Sequence, residues 1–169
     1  MAIAQSILPE FDQEAQATRK VLEQVPGDHL AWQPHEKSMT LGRLASHIAE
    51  IPDWGISALQ HDSIDIQPTD GEQRAPANYG STGEILAAFD AATAKAREAI
   101  AATEDHVFME SWSLLRGGEE VFSAPKIGVL RSFVMNHCIH HRGQLTVYLR
   151  LLDAHVPSTY GPSADEAAF

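Results

Sequence analysis

The sequence predicts an all-α protein, and a four-helix bundle is the architecture that fits it best. Four long segments repeat apolar residues at spacings of three and four positions, which is the period of an amphipathic helix. Capping residues and helix breakers stand at the ends of these segments. The connections are long and unequal, which argues against a minimal up-and-down design and allows a crossover connection. We expect residues 1–169 to form a single domain.

The first predicted helix covers about residues 8–25 and stops before the breaker pair Pro26-Gly27. The second helix follows Ser38 and Thr40, either of which can serve as its N-cap. Pro52 lies inside this helix and removes a backbone donor, so the helix either kinks or restarts there. We expect a kink, because the apolar stripe continues in phase through Leu44, His47, Ile51, Trp54 and Ala58.

Residues 62–80 are rich in proline and glycine and are expected to form a surface loop. The third helix opens at residues 81–84 with the sequence STGE, which is a capping-box pattern. Its apolar face is expected to comprise Ile85, Phe89, Ala92, Ala96 and Ile100.

The helical pattern lapses between Val107 and Phe122, around a turn at residues 116–119. This lapse allows a short β-hairpin between the third and fourth helices. The fourth helix begins near residues 123–126, where Ser123 can cap it and proline is tolerated in the first turn. It runs to about Leu152 and is followed by a polar tail.

The composition excludes several classes of partner. The chain has 23 acidic and 12 basic residues, a formal net charge of −11, and no basic cluster that would attract nucleic acid or an anionic membrane surface. No stretch reaches the roughly 18 apolar residues of a membrane span. The single cysteine suits a reducing compartment, and the first residues lack the basic region of a signal peptide. We therefore expect a soluble cytoplasmic protein.

Three histidines and the only cysteine lie within five positions of the stretch NHCIHHRGQL, residues 136–145. At a rotation of about 100° per residue, His141 falls only about 40° from His137 on a helical wheel. Leu130, Val134, Leu145 and Tyr148 fall within about 80° of His137 on the same side, so the pair occupies the apolar stripe. His140 and Cys138 fall on its flanks.

Two neighbouring imidazoles in a core each need a partner for a ring nitrogen. A metal ion supplies partners to both, and His47, on the apolar stripe of the second helix, is a third candidate ligand. Three neutral imidazoles form the ligand set of a catalytic zinc site with one open position. Hydrogen-bonded core histidines without a metal are the alternative interpretation of the same pattern.

Other polar and aromatic residues have candidate roles around this site. Glu50 and Gln144 follow His47 and His141 by one turn, where they can orient a ligand ring or simply be polar surface residues. Trp54, Tyr148 and Trp112 can line a pocket, although each also fits a packed core. Cys138 is predicted to be a packed thiol, and Arg142 is expected to meet a carboxylate. The histidines expected to be solvated are His29, His35, His61, His106 and His155.

Three stretches of the chain resemble the DinB/YfiT-like superfamily. They are WQPHEKSMTLGRLASHI (32–48), NHCIHHRGQLTVYLR (136–150) and VPSTYGPSADE (156–166). The most specific element is H-x-x-x-H-R-G-Q-L after an earlier L-x-x-H-I. The resemblance implies an up-down-down-up four-helix bundle that commonly forms homodimers. It also implies a divalent metal held by His47, His137 and His141.

The same resemblance implies a range of functions. Characterised relatives include metal-dependent thiol S-transferases and a mycothiol-dependent isomerase. The leading expectation is therefore a transferase or isomerase that acts on a small molecule, with a low-molecular-weight thiol cosubstrate bound as thiolate to zinc or nickel. No catalytic residue is predicted beyond the metal site. The alternatives are a hydrolase that uses metal-activated water, a non-enzymatic bundle stabilised by metal, and a bundle that binds no metal.

Overall fold

The computed structural model describes residues 2–69 and 75–167, which are mostly helical and include one small sheet. The helices are α1 (Ile3–Leu22), α2 (Leu41–Gln60), α3 (Thr82–Ala102), α4 (Asp105–Phe108), α5 (Lys126–Val129) and α6 (His137–Leu151), with a 3-10 turn at Gly27–His29. A π-helical segment (Leu130–Asn136) joins α5 to α6. The strands are β1 (Ser63–Asp65), β2 (Ser111–Arg116) and β3 (Glu119–Pro125). The sheet makes the fold mostly helical rather than all-α.

Helix α1 begins at Ile3 rather than near residue 8, and it ends at Leu22 rather than Val25. Pro9 therefore lies inside the helix, where it removes one backbone donor. Two features explain the earlier start. Ala4 and Ile7 are buried in the core, and the backbone N–H of Ile3 donates to Asp105 Oδ1 at 2.7 Å, which satisfies one of the free donors at the helix end.

The N-caps of α2 and α3 agree with the sequence pattern. Thr40 Oγ1 accepts from the backbone N–H of Arg43 at 3.2 Å, and α2 then continues through Pro52 without interruption. Ser81 Oγ accepts from the N–H of Glu84 at 3.2 Å. The Glu84 carboxylate reaches back to the N–H of Gly80, one residue before the position of an ideal capping box.

The predicted hairpin is confirmed: β2 and β3 pair antiparallel across a turn at Gly117 and Gly118. Both glycines have positive φ, +60° and +82°, as a tight hairpin turn requires. The sheet also contains β1, which pairs parallel with β2 in the order β1-β2-β3. The expectation of a plain loop over residues 62–80 is therefore wrong at β1, and residues 70–74 of that loop lie outside the described residues.

Strand β1 is specified by tertiary contacts. Asp65 accepts from the backbone N–H groups of Gly117 and Gly118, at 3.0 and 2.7 Å, and so fastens the strand to the hairpin turn. Most of the strand is exposed, so it shows no alternation of buried and exposed residues that could reveal it in the sequence.

The predicted fourth helix consists of α5, the π-helical segment and α6 in direct succession. The proposed cap at Ser123 is wrong, because strand pairing continues to Pro125 and places Ser123 opposite Ser113. The helix begins only at Lys126.

The long helices share one core. Helices α1 and α2 each pack against both α3 and α6, and the predicted apolar face of α3 is buried throughout. A smaller apolar cluster under the sheet contains Ala58, Trp112 and Val129. None of the helices in the described residues is both long and apolar enough to cross a membrane. This packing places α2 directly beside α6.

The polar tail after α6 is held against the helices. Asp165 binds the guanidinium of Arg150, at 2.7 and 3.1 Å, and also accepts from the backbone N–H of Val156. Tyr160 donates its hydroxyl to Glu14 on α1 at 2.6 Å. The tail therefore packs back onto the first and last long helices, α1 and α6.

Candidate metal centre

Helices α2 and α6 bring three histidine rings together. Nε2 of His137 lies 3.3 Å from Nε2 of His47 and 2.8 Å from Nε2 of His141. His47 and His141 are each 8% exposed, and His137 is half-buried. In the part of the chain that the structure describes, these are the residues that could hold a metal ion, with their ligand atoms within 4.8 Å of one another.

The remaining ring nitrogen of His47 contacts Glu50, one turn along α2. The distance from His47 Nδ1 to Glu50 Oε1 is 3.1 Å. Burial raises the pKa of Glu50, but hydrogen bonds from His47 and Ala77 and the charge of Arg43 outweigh it and lower the pKa. An ionised carboxylate only accepts hydrogen bonds, so Nδ1 of His47 donates, and in the neutral ring Nε2 then carries the lone pair.

His141 has the same arrangement with Gln144. Its Nδ1 lies 2.7 Å from the amide oxygen Oε1 of Gln144, which is an acceptor. Nδ1 of His141 therefore carries the proton, and Nε2 presents its lone pair to the other two rings. Glu50 and Gln144 thus contact His47 and His141, the rings that they follow by one turn in the sequence.

The third ring, His137, is held neutral by its surroundings. Burial and the proximity of His141 and His47 lower its pKa to about 4, against the opposing effect of the Phe133 carbonyl. Burial also lowers the pKa of His141. Both rings are therefore uncharged at neutral pH, which is the form that binds metals.

The donor set fits a divalent cation. Lone pairs on Nε2 atoms this close repel one another unless a proton or a cation lies between them. Metal–nitrogen distances of about 2.0–2.1 Å in a tetrahedral site put neighbouring nitrogens about 3.3 Å apart. The separation of His47 and His137 matches this value, and that of His137 and His141 would have to widen by about 0.5 Å. Three candidate ligands are found among the described residues. A four-coordinate ion would therefore keep one coordination position for an external ligand.

Trp54 forms one wall of the site. Its ring centroid lies 5.4 Å from that of His47 and 5.2 Å from that of His137. Tyr148 is farther along α6, where its ring packs edge-on against Trp32 and its hydroxyl donates to the Met39 carbonyl at 3.2 Å. Trp112 is wrong as a pocket candidate, because it lies in the separate cluster under the sheet.

The other residues of the histidine-rich stretch lie around the site. Cys138 is buried and places Sγ 3.5 Å from Thr18 Oγ1 on α1, and burial raises its pKa. His140 is exposed, although its ring centroid lies 4.9 Å from that of His141. Arg142 meets a carboxylate, as predicted, at 2.8 Å from Glu14. The five histidines expected to be solvated are all exposed: His29, His35, His61, His106 and His155.

Sequence reasoning missed Arg43. Its guanidinium donates to Glu50 Oε1 at 3.2 Å and to the backbone carbonyl of Ala77 at 3.3 Å. The available signal was its position one turn before His47 on the same helix. The contact with Ala77 had no such signal, because it spans a connection of irregular structure.

Comparison with known proteins finds similarity over almost the entire chain. Residues 1–168 match the model of the DinB family. YrdA, an uncharacterized protein of Bacillus subtilis (strain 168), is 28% identical over 166 residues, which cover 95% of this chain and 90% of YrdA.

Two solved structures share the fold. A DinB-like protein from Bacillus cereus ATCC 10987 superimposes with a TM-score of 0.71 at 23% identity, over 94% of this chain and 98% of that one. The DinB-like protein YjoA from Bacillus subtilis gives a TM-score of 0.68 at 17% identity, over 95% and 98% of the two chains.

Proposed function

The chain belongs to the DinB family, and from that premise we propose that it is a divalent-metal-dependent enzyme with His47, His137 and His141 as ligands. The observation that carries the proposal is the convergence of three Nε2 atoms, two of them in rings, His47 and His141, whose Nδ1 atoms face other acceptors. Three such nitrogens bind a cation from one side and leave one coordination position for an external ligand.

The favoured reaction is transfer to, or isomerisation with, a low-molecular-weight thiol. When bound, a divalent ion on three neutral imidazoles supplies a full positive charge that favours the ionised form of a thiol or a water molecule. Free thiols have a pKa near 8.5, so only a few per cent are ionised at pH 7. In the transfer, the thiol loses its proton to solvent, its sulfur bonds to an electrophilic carbon, and the leaving group departs from that carbon with its bonding electrons.

The chain's own residues orient and enclose the reacting groups in this proposal. Glu50 and Gln144 hold the rings of His47 and His141 in the tautomer that ligates through Nε2. The indole of Trp54 packs edge-on against the rings of His47 and His137 and forms one wall of the site. Zinc and nickel are the ions that we expect, since both accept nitrogen donors.

We also propose the finer architecture that the resemblance implies. Residues 1–169 would form one domain around an up-down-down-up bundle of α1, α2, α3 and the α5–α6 helix, and two copies would form a homodimer. The single shared core supports one domain. The lone cysteine, buried against Thr18, suits a cytoplasmic location.

Metal binding tests the first part of the proposal. Protein stripped with a chelator and dialysed against Zn²⁺ or Ni²⁺ should retain about one ion per chain, as a three-histidine site predicts. The His137→Ala, His141→Ala double variant should retain none. His140→Ala is the matched control, because it removes a neighbouring exposed imidazole from the same helix. Equal retention by all three proteins would reject the site.

Activity tests the second part. Metal-loaded protein should conjugate thiols to 1-chloro-2,4-dinitrobenzene faster than the double variant does. Hydrolysis of 4-nitrophenyl acetate without any thiol-dependent turnover would favour activated water as the nucleophile instead. Stoichiometric metal binding with neither activity would indicate that the ion has a structural role.

A further inference from the structure

A short segment without regular secondary structure lies against the helix that carries His47. Residues 75–80, here the 75–80 segment, precede α3 and form hydrogen bonds with side chains of α2. The N–H of Ala77 donates to Glu50 Oε2 at 3.2 Å, and the carbonyl of Ala77 accepts from Arg43 at 3.3 Å. The N–H of Tyr79 donates to Ser46 Oγ at 3.0 Å. Three α2 side chains, spaced three and four residues apart, therefore bind this segment.

The Glu50 carboxylate connects this segment to the candidate metal centre. Its Oε1 accepts from His47 Nδ1 at 3.1 Å and from Arg43 at 3.2 Å, while Oε2 accepts from Ala77. The side chain of Glu50 is only 11% exposed, so water has little access to replace a lost donor. Both oxygens therefore already accept hydrogen bonds, and the three donors together fix the orientation of the carboxylate.

We propose that Arg43 is a positioning residue which, by holding the carboxylate of Glu50 between His47 and Ala77, couples metal binding to docking of the 75–80 segment. The inference rests on the proposed metal site. Arg43 is the donor that contacts both the carboxylate and the Ala77 carbonyl, and its guanidinium provides two parallel N–H groups for these separate acceptors. Without Arg43, the carboxylate loses its neighbouring cation and one of its three constraints.

The coupling must act in both directions. If the docked segment improves metal affinity by some factor, then metal binding stabilises the docked segment by the same factor. Residues that orient a ligand imidazole commonly change metal affinity by about 10- to 100-fold when they are mutated. We expect Arg43 to lie near the lower end of this range, since it acts on His47 through Glu50.

The first experiment measures Co²⁺ and Zn²⁺ affinity for four proteins. Arg43→Gln should weaken binding about tenfold. Arg43→Lys should recover part of the loss, because one ammonium can contact Glu50 or the Ala77 carbonyl but does not span both as a guanidinium does. Ser46→Ala is the matched control: it removes the bond to Tyr79 but keeps both bonds to Ala77, through which the coupling to Glu50 acts, so its affinity should stay within about twofold of wild type.

The second experiment measures hydrogen exchange of the peptide that covers residues 75–80, with and without Zn²⁺. Metal should slow exchange at Ala77 in the wild type, and the effect should be lost in Glu50→Gln, because a single amide oxygen cannot replace two carboxylate oxygens. Circular dichroism of each variant establishes that it is folded. The Co²⁺ absorption spectrum of Arg43→Gln should also shift, which a change in segment docking alone would not cause.

The outcomes separate this inference from the proposed function. A wild type that binds metal, together with an Arg43→Gln variant of equal affinity and unchanged Co²⁺ spectrum, would overturn the role of Arg43 and leave the metal site intact. Metal binding that leaves exchange at Ala77 unchanged would overturn the coupling. A wild type that binds no metal would overturn both the coupling and the proposed enzyme.

Discussion

The guanidinium of Arg142 lies 2.8 Å from the carboxylate of Glu14, in an ion pair that joins α6 to α1. The Arg142 side chain is 3% exposed and that of Glu14 is 11% exposed. The hydroxyl of Tyr160 contacts both groups, and Arg142 also donates to Thr18 Oγ1. A buried pair with this many additional hydrogen bonds is destabilising to break, because each charge depends on the other for its compensation.

Replacement of one partner should therefore destabilise the protein strongly. We expect Arg142→Met to lower the free energy of unfolding by about 3 kcal/mol, since it leaves Glu14 buried without its cation. The double variant Arg142→Met, Glu14→Leu should lose less, because it leaves no uncompensated charge. Urea unfolding monitored by circular dichroism measures both values.

A second ion pair between the same helical regions provides the control. Arg131 contacts Glu10 of α1, and both side chains are more than 40% exposed. Arg131→Met should change the free energy of unfolding by less than about 1 kcal/mol. Equal losses from Arg131→Met and Arg142→Met would contradict the distinction between a solvated and a buried pair.

Metal binding should stabilise the folded chain without being needed for folding. The core is formed by apolar side chains from all the long helices, and their burial does not require an ion. At a free metal concentration about 100 times the dissociation constant, the free energy of unfolding should rise by about 2.7 kcal/mol. For a chain of this length that corresponds to an increase in Tm of about 5–10 °C.

Differential scanning calorimetry with and without Zn²⁺ measures this shift. The shift should disappear in His47→Ala and persist in His140→Ala. Addition of a chelator should abolish the shift while leaving the far-ultraviolet circular dichroism spectrum largely unchanged. Loss of helical structure on chelation would instead show that the ion has a structural role.

The three histidines could be predicted because the helices that carry them, α2 and α6, are regular around these residues. His137 and His141 both lie in the uninterrupted α-helix α6, so a rotation of about 100° per residue correctly places them on one face. His47 lies in α2, whose apolar stripe continues through Pro52 as expected. Helical periodicity therefore places all three rings on apolar helix faces. That α2 and α6 lie side by side follows from tertiary packing and not from periodicity.

The features that the sequence did not predict depend on contacts between distant residues. Strand β1 is exposed and short, and it exists because it pairs with β2 and because Asp65 binds the hairpin turn. Arg43 and Ala77 lie 34 positions apart, with no periodic pattern between them. The π-helical segment also lacks a sequence signal, since its longer hydrogen-bonded turns keep Val134 buried as an α-helix would.

The thiol of Cys138 should be nearly unreactive in the folded protein. Burial raises its pKa, against the opposing effects of its hydrogen bond with Thr18 and the charge of Arg142, and the residue is 8% exposed. Because the thiolate is the reactive form, iodoacetamide at pH 8 should modify the native chain far more slowly than the chain unfolded in guanidinium. Mass spectrometry over time measures both rates. Comparable rates would show that the thiol is accessible, contrary to its position between α1 and α6.

Two glycines in helices should respond oppositely to substitution by alanine. A Cβ at Gly42 would lie 3.0 Å from the carbonyl oxygen of Leu30 and 3.1 Å from its Cβ, whereas a Cβ at Gly143 would meet nothing within 4 Å among the described residues. Gly42→Ala must displace the backbone at Leu30, which accepts a hydrogen bond from the N–H of Gly42, and should cost about 1–3 kcal/mol.

Gly143→Ala should instead stabilise the protein by about 0.5–1 kcal/mol, because alanine restricts the unfolded chain and favours the helix. Its position one residue before Gln144 makes it informative about the site as well. Since no atom of the site approaches the new methyl group, zinc affinity should remain within about twofold of wild type. Urea unfolding and zinc titration of both variants check these values. A destabilised Gly143→Ala variant with weakened zinc binding would show that this face of α6 is closed by something that packs directly on it.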